Sequence, residues 1–434
     1  LSAGKLRRSA SSTFIAGSSV RERINAMPSV CLYFQIHQPR RLKRFSVFDI
    51  DAAGAPAFAR YEAEEENRRI LTRVVEKCYR PATRLLGNLV ATHAGRFRCA
   101  FSITGVTLDR LAIDHPDVLD AFRALAASGC VEFLNETYEH TLAFPRDPEE
   151  FRTQVRRHRE RIRDAFGREA VTFRGTELIF SNALVERVAE LGYRVMLAEG
   201  TEPLLRGRSP NRVYGTAVDP RVRVLLRNYR LSDDIAFRFS DRGWTGFPLT
   251  AAKFAHWIHA LADDARVVNL FMDYETFGEH QWAETGIFHF LEALPGEILK
   301  HPAFRFQTPA EAAEAHPIEG ILDCPGIVTW ADRERDLTAW QGNAMQQDAL
   351  RALYRLSVQV QRRKDPDLLN TWRLLQTSDH FYYMCTKWSA DGDVHRYFNP
   401  YASPYDAYVN FMNVLDDFTE RVTAARPELE EPRC

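Results

Sequence analysis

Five places in this chain share one design, an apolar run that ends in ionisable or amide side chains. They are His37-Gln38, Glu132 with Asn135 and Glu136, Arg174 with Glu177, Asp273 with Glu275, and Ser378-Asp379-His380. The richest lies at 269–280, where Leu270, Phe271 and Met272 read as a strand buried on both faces. Asp273, Glu275, Glu279 and His280 follow at once, with Gly278 loosening the backbone. Carboxylates at the end of an interior strand are costly unless paired or used. Open-sheet and barrel enzymes keep their reacting groups at that end, so an enzyme is expected.

Several carboxylates converging on an aromatic-rich mouth suit two kinds of chemistry. One is a divalent metal site, for which His37, Glu132, Asp273 and His280 are the available ligands. The chain has no HExxH, no facial-triad spacing and no DxDxDG loop to support it. The other is glycoside hydrolysis, in which one carboxylate attacks an anomeric carbon and a second, kept protonated, donates to the leaving oxygen. Like charges about 5 Å apart push one pKa upward, which supplies the acid. Sugar rings also want stacking faces, and Trp282, Trp330, Trp340, Phe381, Tyr382 and Tyr383 can supply them. Taken singly, each piece has an ordinary reading: a structural histidine ending a strand at His37, a surface acid at Glu132, an ion pair between Arg174 and Glu177.

These groups meet only if the elements carrying them reach one mouth. Strand patterns at 30–37, 97–103, 131–134, 170–173, 193–198, 222–226 and 267–272 alternate with helical patterns. The helices fall at 67–90 (interrupted near Pro81), 117–127, 149–166, 182–190 and 249–261, whereas 229–242 reads as a polar loop. This alternation predicts an α/β fold of parallel strands with crossover helices. At least six such strands favour a closed or nearly closed barrel over a doubly wound sheet. Neither GxGxxG nor GxxxxGK[ST] occurs, which weakens a nucleotide reading. Beyond about residue 300 the pattern turns helical, with a capped start at Thr308-Pro309, loop or extended chain at 320–330, and helices at 343–364, 370–377 and 405–422.

Bulk properties narrow the partners. With 57 basic and 58 acidic residues the net charge is -1, and nothing favours nucleic acid. The 7 cysteines show no CxxC spacing, so neither a zinc knuckle nor a disulfide framework is indicated. No stretch is long enough to span a bilayer, and no membrane association is expected. Residues 1–26 carry Arg7, Arg8, Arg21 and Arg23 without a signal-peptide core. Met27-Pro28 reads as the start of the folded chain, 1–26 as a disordered extension, and the location as cytoplasmic.

The motifs, taken in order, resemble glycoside hydrolase family 57, a family of α-amylases, glucanotransferases and branching enzymes. They are His37-Gln38-Pro39, Gly129-Cys130-Val131-Glu132-Phe133, the run from Phe173 to Leu178, the run from Met272 to His280, and the run from Leu375 to Tyr383. The resemblance spans Met27 to about Phe418. It implies an incomplete (β/α)7 barrel over 27–300 with a C-terminal helical domain, 301–434, packed over the catalytic face. It implies a retaining reaction on α-glucans such as glycogen, starch or maltodextrin, with Glu177 as nucleophile and Asp273 as acid/base. The residues holding the donor sugar fall on His37, Glu132, Glu275 and Asp379. Gln38, Arg174, His280, Trp282 and His380 are expected to join them in contacting substrate.

The pattern around Glu275, Gly278, His280 and Ser378-Asp379-His380 is most similar to the intracellular α-amylase branch, so hydrolysis of α-1,4-glucosidic bonds is the expected activity. Glucanotransferase or branching activity with the same pair is the alternative. A catalytically silent glucan-binding protein is the third reading, disfavoured because both acids are present. Double displacement needs no cofactor, and neither cofactor nor metal is expected. The chain departs from the family at Phe173-Arg174-Gly175, where many members place a tryptophan ahead of the glutamate.

Overall fold

Alternating apolar and inward polar residues build ten strands among the residues that the computed structural model describes, 27–50, 58–387 and 399–424. The expected extension 1–26 lies outside them. In chain order the strands are β1 (Ser29–Ile36), β2 (Cys99–Ile103), β3 (Val131–Phe133), β4 (Thr172–Arg174), β5 (Val195–Glu199), β6 (Val213–Thr216), β7 (Arg223–Arg227), β8 (Val267–Asp273), β9 (Arg305–Phe306) and β10 (Ile318–Leu322). They form two sheets. The first, β3-β2-β1-β8 with β9 beside β1, is parallel throughout. The second, β10-β6-β7-β5-β4, is mixed, because β6 runs antiparallel to β7.

Period-two alternation decides what each strand buries. Leu32, Phe34, Phe101, Leu270 and Met272 enter a core shared with the helices Glu64–Val74, Pro116–Ala127 and Ile287–Ile298. Phe173, Met196, Val224 and Leu226 enter another with the helix Asn182–Glu190 and the C-terminal helices. Tyr33, Ala100, Leu134, Leu197, Leu225 and Phe271 form a third cluster drawn from both sheets. The interior strands β1, β2, β5 and β8 are therefore covered on both faces, as their sequences require, whereas β10 at the edge of the second sheet is partly exposed.

The sheets meet at two seams. At one, Asn135 bridges Phe173; its N–H donates to Thr172 O at 3.0 Å, and the Arg174 N–H donates to Asn135 O at 2.8 Å. At the other, the Asn228 N–H donates to Asn269 O at 2.9 Å, and Arg227 Nε to Phe271 O at 2.7 Å.

Three local expectations change. The interruption near Pro81 is a single π-helical turn, Val75–Tyr79, leading into the helix Arg80–Thr92; the proline sits in that helix's first turn, where its missing N–H costs little. The supposed loop after 229 contains a helix, Tyr229–Ala236, whose N-cap Asn228 accepts from the Leu231 N–H at 3.2 Å. The 343–364 helix is two, Ala344–Arg355 and Ser357–Arg363. Past residue 300, β9 and β10 still pair with the two sheets. Among the described residues no helix is long and apolar enough to cross a membrane.

The loop after β8 is held against the first helices at Gly278. Its φ is +114°, and a Cβ there would lie 1.9 Å from the Lys77 carbonyl oxygen. Gly278→Ala is expected to cost about 2–4 kcal/mol in urea unfolding at unchanged m value. A loss under about 0.5 kcal/mol would mean that the loop and the Lys77 turn separate freely.

Candidate active site

Register with β1 sets the level of the mouth. Gln35 pairs with Ser102 on one side and with Asp273 on the other. Arg174, Glu199 and Arg227 are the last residues of β4, β5 and β7, and Glu136 follows β3 just past the Asn135 bridge. Glu177 comes from a turn so tight that a Cβ on Gly175 would lie 2.3 Å from Ile179 O. Glu177 and Leu178 both take left-handed backbone conformations (φ 56° and 51°), as does His140 (φ 53°). Such strain, of order 1–3 kcal/mol per residue, is characteristic of functional sites.

Both Glu177 oxygens are held. Oε1 lies 2.9 Å from His140 Nε2, and Oε2 accepts from the Trp330 indole N–H at 2.7 Å. The other His140 nitrogen, Nδ1, is 3.0 Å from Glu136 Oε2. Glu136 is fully buried; its Oε1 accepts from Gln35 Nε2 at 3.0 Å and from the Ser102 hydroxyl. The His140 ring stacks on His37 with centroids 4.1 Å apart. His37 in turn is 3.0 Å from the Thr104 hydroxyl and 2.9 Å from Asp379 Oδ2. The helical part thus reaches the mouth, aided by a Ser378 N–H to His140 O bond of 3.0 Å.

The charge states follow from these contacts. Burial opposes ionisation of Glu177, but the hydrogen bond and charge of His140, with Arg174, hold its carboxyl below the usual range. Burial likewise opposes charge on His140, yet its two carboxylate partners raise it to about 9. Glu136 stays ionised despite burial because of His140 and Arg174. Burial and the neighbouring His140 charge keep His37 neutral, and Asp379 remains ionised against its burial through its contact with His37. Asp273 is raised to about 6 by burial and by the Glu177 charge. Glu275 is raised to about 8 by burial and the Asp273 charge, although Tyr79 and Gln38 donate to it, Gln38 Nε2 at 3.3 Å.

Arg174 stands apart. Its side chain is 0% exposed and lies 5.1 Å below the Trp330 ring, with Nη1 3.7 Å from Glu136 Oε2. None of its three guanidinium nitrogens has a hydrogen-bond partner among the described residues. Fully buried donors of this kind normally find acceptors, and a polyhydroxylated ligand would provide them.

Of the residues singled out by sequence, the structure gathers His37, Gln38, Arg174, Glu177, Asp273, Glu275 and Asp379. Glu132 is not among them. It pairs with Ala100, in line with Tyr33 and two residues below the level of Asp273, and its Oε2 accepts the Ala310 N–H at 2.9 Å. Trp282 is 60% exposed, with the Lys77 ammonium 6.0 Å from its ring. His380 packs on Phe411, and burial lowers it to about 4. His280 is lowered to about 4 by burial as well, while its N–H donates to Glu275 O at 2.9 Å. Sequence reasoning passed over His140 and the role of Glu136, although an acid and a histidine four apart just beyond a strand were visible. It named Trp330 only as a stacking face. Among the described residues no three His, Cys, Asp or Glu side chains are grouped to hold a metal ion.

One carboxylate held ionised and a second with its pKa raised to about 6, carried at and just beyond the ends of parallel strands, are the equipment of a glycoside hydrolase. The particular family follows from comparison: the model of Glycosyl hydrolase family 57 matches residues 31–325, and the chain belongs to that family. A Methanocaldococcus jannaschii protein named "Putative alpha-amylase" is 38% identical over 396 residues, 89% of this chain and 83% of that one. The fold is shared with a branching enzyme from Thermococcus kodakaraensis at TM-score 0.66 and 11% identity, covering 92% of both chains. It is shared also with 4-α-glucanotransferase from Thermococcus litoralis at TM-score 0.56 and 17% identity, covering 89% of this chain but 55% of that one.

A pH profile tests the charge assignment. If Glu177 must be ionised and Asp273 protonated, kcat/KM should rise through a limb below the usual carboxylate range and fall through one near pH 6. A plateau extending past pH 8 would exclude Asp273 as the titrating acid.

Proposed function

We propose that this chain is an α-glucan-active enzyme that works by double displacement. Ionised Glu177 attacks the anomeric carbon while Asp273 gives its proton to the departing glycosidic oxygen. Asp273, now ionised, takes the proton of the incoming hydroxyl as the glucosyl-enzyme is resolved. The observation carrying this reading is the divergence of two electrostatically coupled acids, one held ionised by His140 and the other raised by burial and by the first one's charge. Arg174, His37, Gln38, Glu275 and Asp379 are assigned to the donor sugar, the unpartnered Arg174 guanidinium foremost. Glu132 and His380 are assigned packing roles.

The seven strands β1, β2, β3, β4, β5, β7 and β8 are read as an incomplete (β/α)7 barrel, closed loosely between β7 and β8. Parallel pairing from β8 through β1 and β2 to β3 and from β4 through β5 to β7, with the Asn135 bridge between the two sets, supports this.

Hydrolysis and transfer share the first half-reaction. The relative's name supports hydrolysis. The fold shared with a branching enzyme and a 4-α-glucanotransferase supports transfer, in which a bound sugar hydroxyl takes the place of water. Transfer, as in a glucanotransferase or branching enzyme, is therefore the fuller reading, with hydrolysis its outcome when no acceptor sugar is bound.

Maltoheptaose separates the outcomes: products longer than the substrate mean transfer, and only shorter ones mean hydrolysis. Glu177→Gln should lower kcat by ~10³-fold or more on every substrate. Asp273→Asn should spare an aryl α-maltoside with an activated leaving group far more than maltoheptaose. Equal, mild losses from both changes would remove these roles. Chelator treatment should leave the rate unchanged.

A further inference from the structure

Glu177 is held by one charged and one neutral donor, and the charged one has a partner of its own. His140 bridges Glu136 Oε2 at 3.0 Å and Glu177 Oε1 at 2.9 Å, with its side chain 3% exposed. Glu136 is anchored in turn by Gln35 and Ser102 at Oε1, so the imidazole cannot swing away without leaving its buried Oε2 without a hydrogen bond. The backbone at His140 is itself left-handed, and the Ser378 N–H caps its carbonyl. The groups facing the ring are Glu136, Glu177 and the stacked, neutral His37, with Asp379 beyond His37; Arg174 and Asp273 complete the surrounding charge.

We infer that His140 is a positioning residue whose fixed N–H serves the second half of the reaction, by holding Glu177 Oε1 as the carboxylate departs from the glucosyl-enzyme. This rests on the double-displacement reading above. In that step the bond between the anomeric carbon and the Glu177 oxygen breaks, and its electron pair returns to the carboxylate. The oxygen of water or a sugar hydroxyl bonds to the anomeric carbon, and its proton passes to ionised Asp273. His140 keeps its proton throughout. Before attack the charge–charge contact stabilises ionised Glu177 and so restrains its nucleophilicity. On departure the same contact stabilises the developing negative charge, so the benefit falls on deglucosylation. With its pKa raised to about 9, His140 carries the proton across the working range.

His140→Gln keeps a donor and removes the charge. On an aryl α-maltoside it should slow deglucosylation about 10–100-fold, the worth of a charge-assisted hydrogen bond, with less effect on the first step. A pre-steady-state burst of aryl alcohol and a covalent glucosyl adduct in the mass spectrum should then appear, and the acid limb of kcat/KM should move up toward an ordinary carboxylate. Glu136→Gln gives a second route if the first variant folds poorly. It weakens the hold on the His140 proton, so the burst should be absent at low pH and appear as pH rises through the lowered His140 pKa. A merely structural role predicts loss of kcat with no burst, no adduct and an unmoved acid limb in both variants, and that result overturns the inference. If Glu177→Gln retains activity, the double-displacement reading itself has failed, which is a separate outcome.

Discussion

Charge balance at a crowded mouth is the constraint from which the rest of this structure follows. Carboxylates at Glu136, Glu177, Asp273, Glu275 and Asp379 are drawn within a few side chains of one another. Removing that many charges from water is prohibitive unless each is paired or protonated. The molecule uses both remedies. His140 and Arg174 keep Glu136 and Glu177 ionised, while Asp273 is pushed toward the acid form by burial and the Glu177 charge, and Glu275 by burial and the Asp273 charge. The unequal treatment of neighbouring acids is what gives the site a base and an acid at once.

The fold is arranged to deliver these compensating groups from distant parts of the chain. Parallel pairing puts Gln35, Ser102 and Asp273 at one level. The loop carrying Trp330 lies over two guanidinium groups, Arg174 at 5.1 Å and Arg227 at 5.8 Å. It is fastened by Arg335, which donates to the Trp330 carbonyl and lies 3.6 Å from Glu199. Arg227, bonded to Glu199 at 3.0 Å and Asp233 at 2.5 Å, ties the second sheet into the same electrostatic network. An indole N–H on the nucleophile candidate thus arrives from 153 residues downstream, where the local motif has Phe173-Arg174 instead of a tryptophan.

The strands and most helices were legible because burial on both faces leaves continuous apolar runs, and because Thr308 announces a helix start by its cap. The short helix Tyr229–Ala236 and the strand β6 were not, since neither carries a long enough apolar period. Within the site, Asp273 stood out by its place at the end of an interior strand, whereas Glu177, three residues past β4, took its role from the family motif. Glu132 lies lower because a residue or two along a strand changes its level, and the ladder of β3 ends only at Phe133. His140 was hidden for a different reason. Its significance lies in a left-handed backbone and in partners far away in sequence, neither of which residue spacing announces.

The antiparallel bridge between Thr141 and Thr377, with Asp379 on His37 just beyond, makes the helical region part of the surroundings of Glu177 rather than a cover laid over them. Those helices share one buried cluster with the second sheet, Trp340, Leu350 and Phe411 lying in it with Phe173, Met196 and Val224. Interiors this closely packed transmit strain, so a volume change at any of these positions would be felt at the mouth as well as in the stability of the chain.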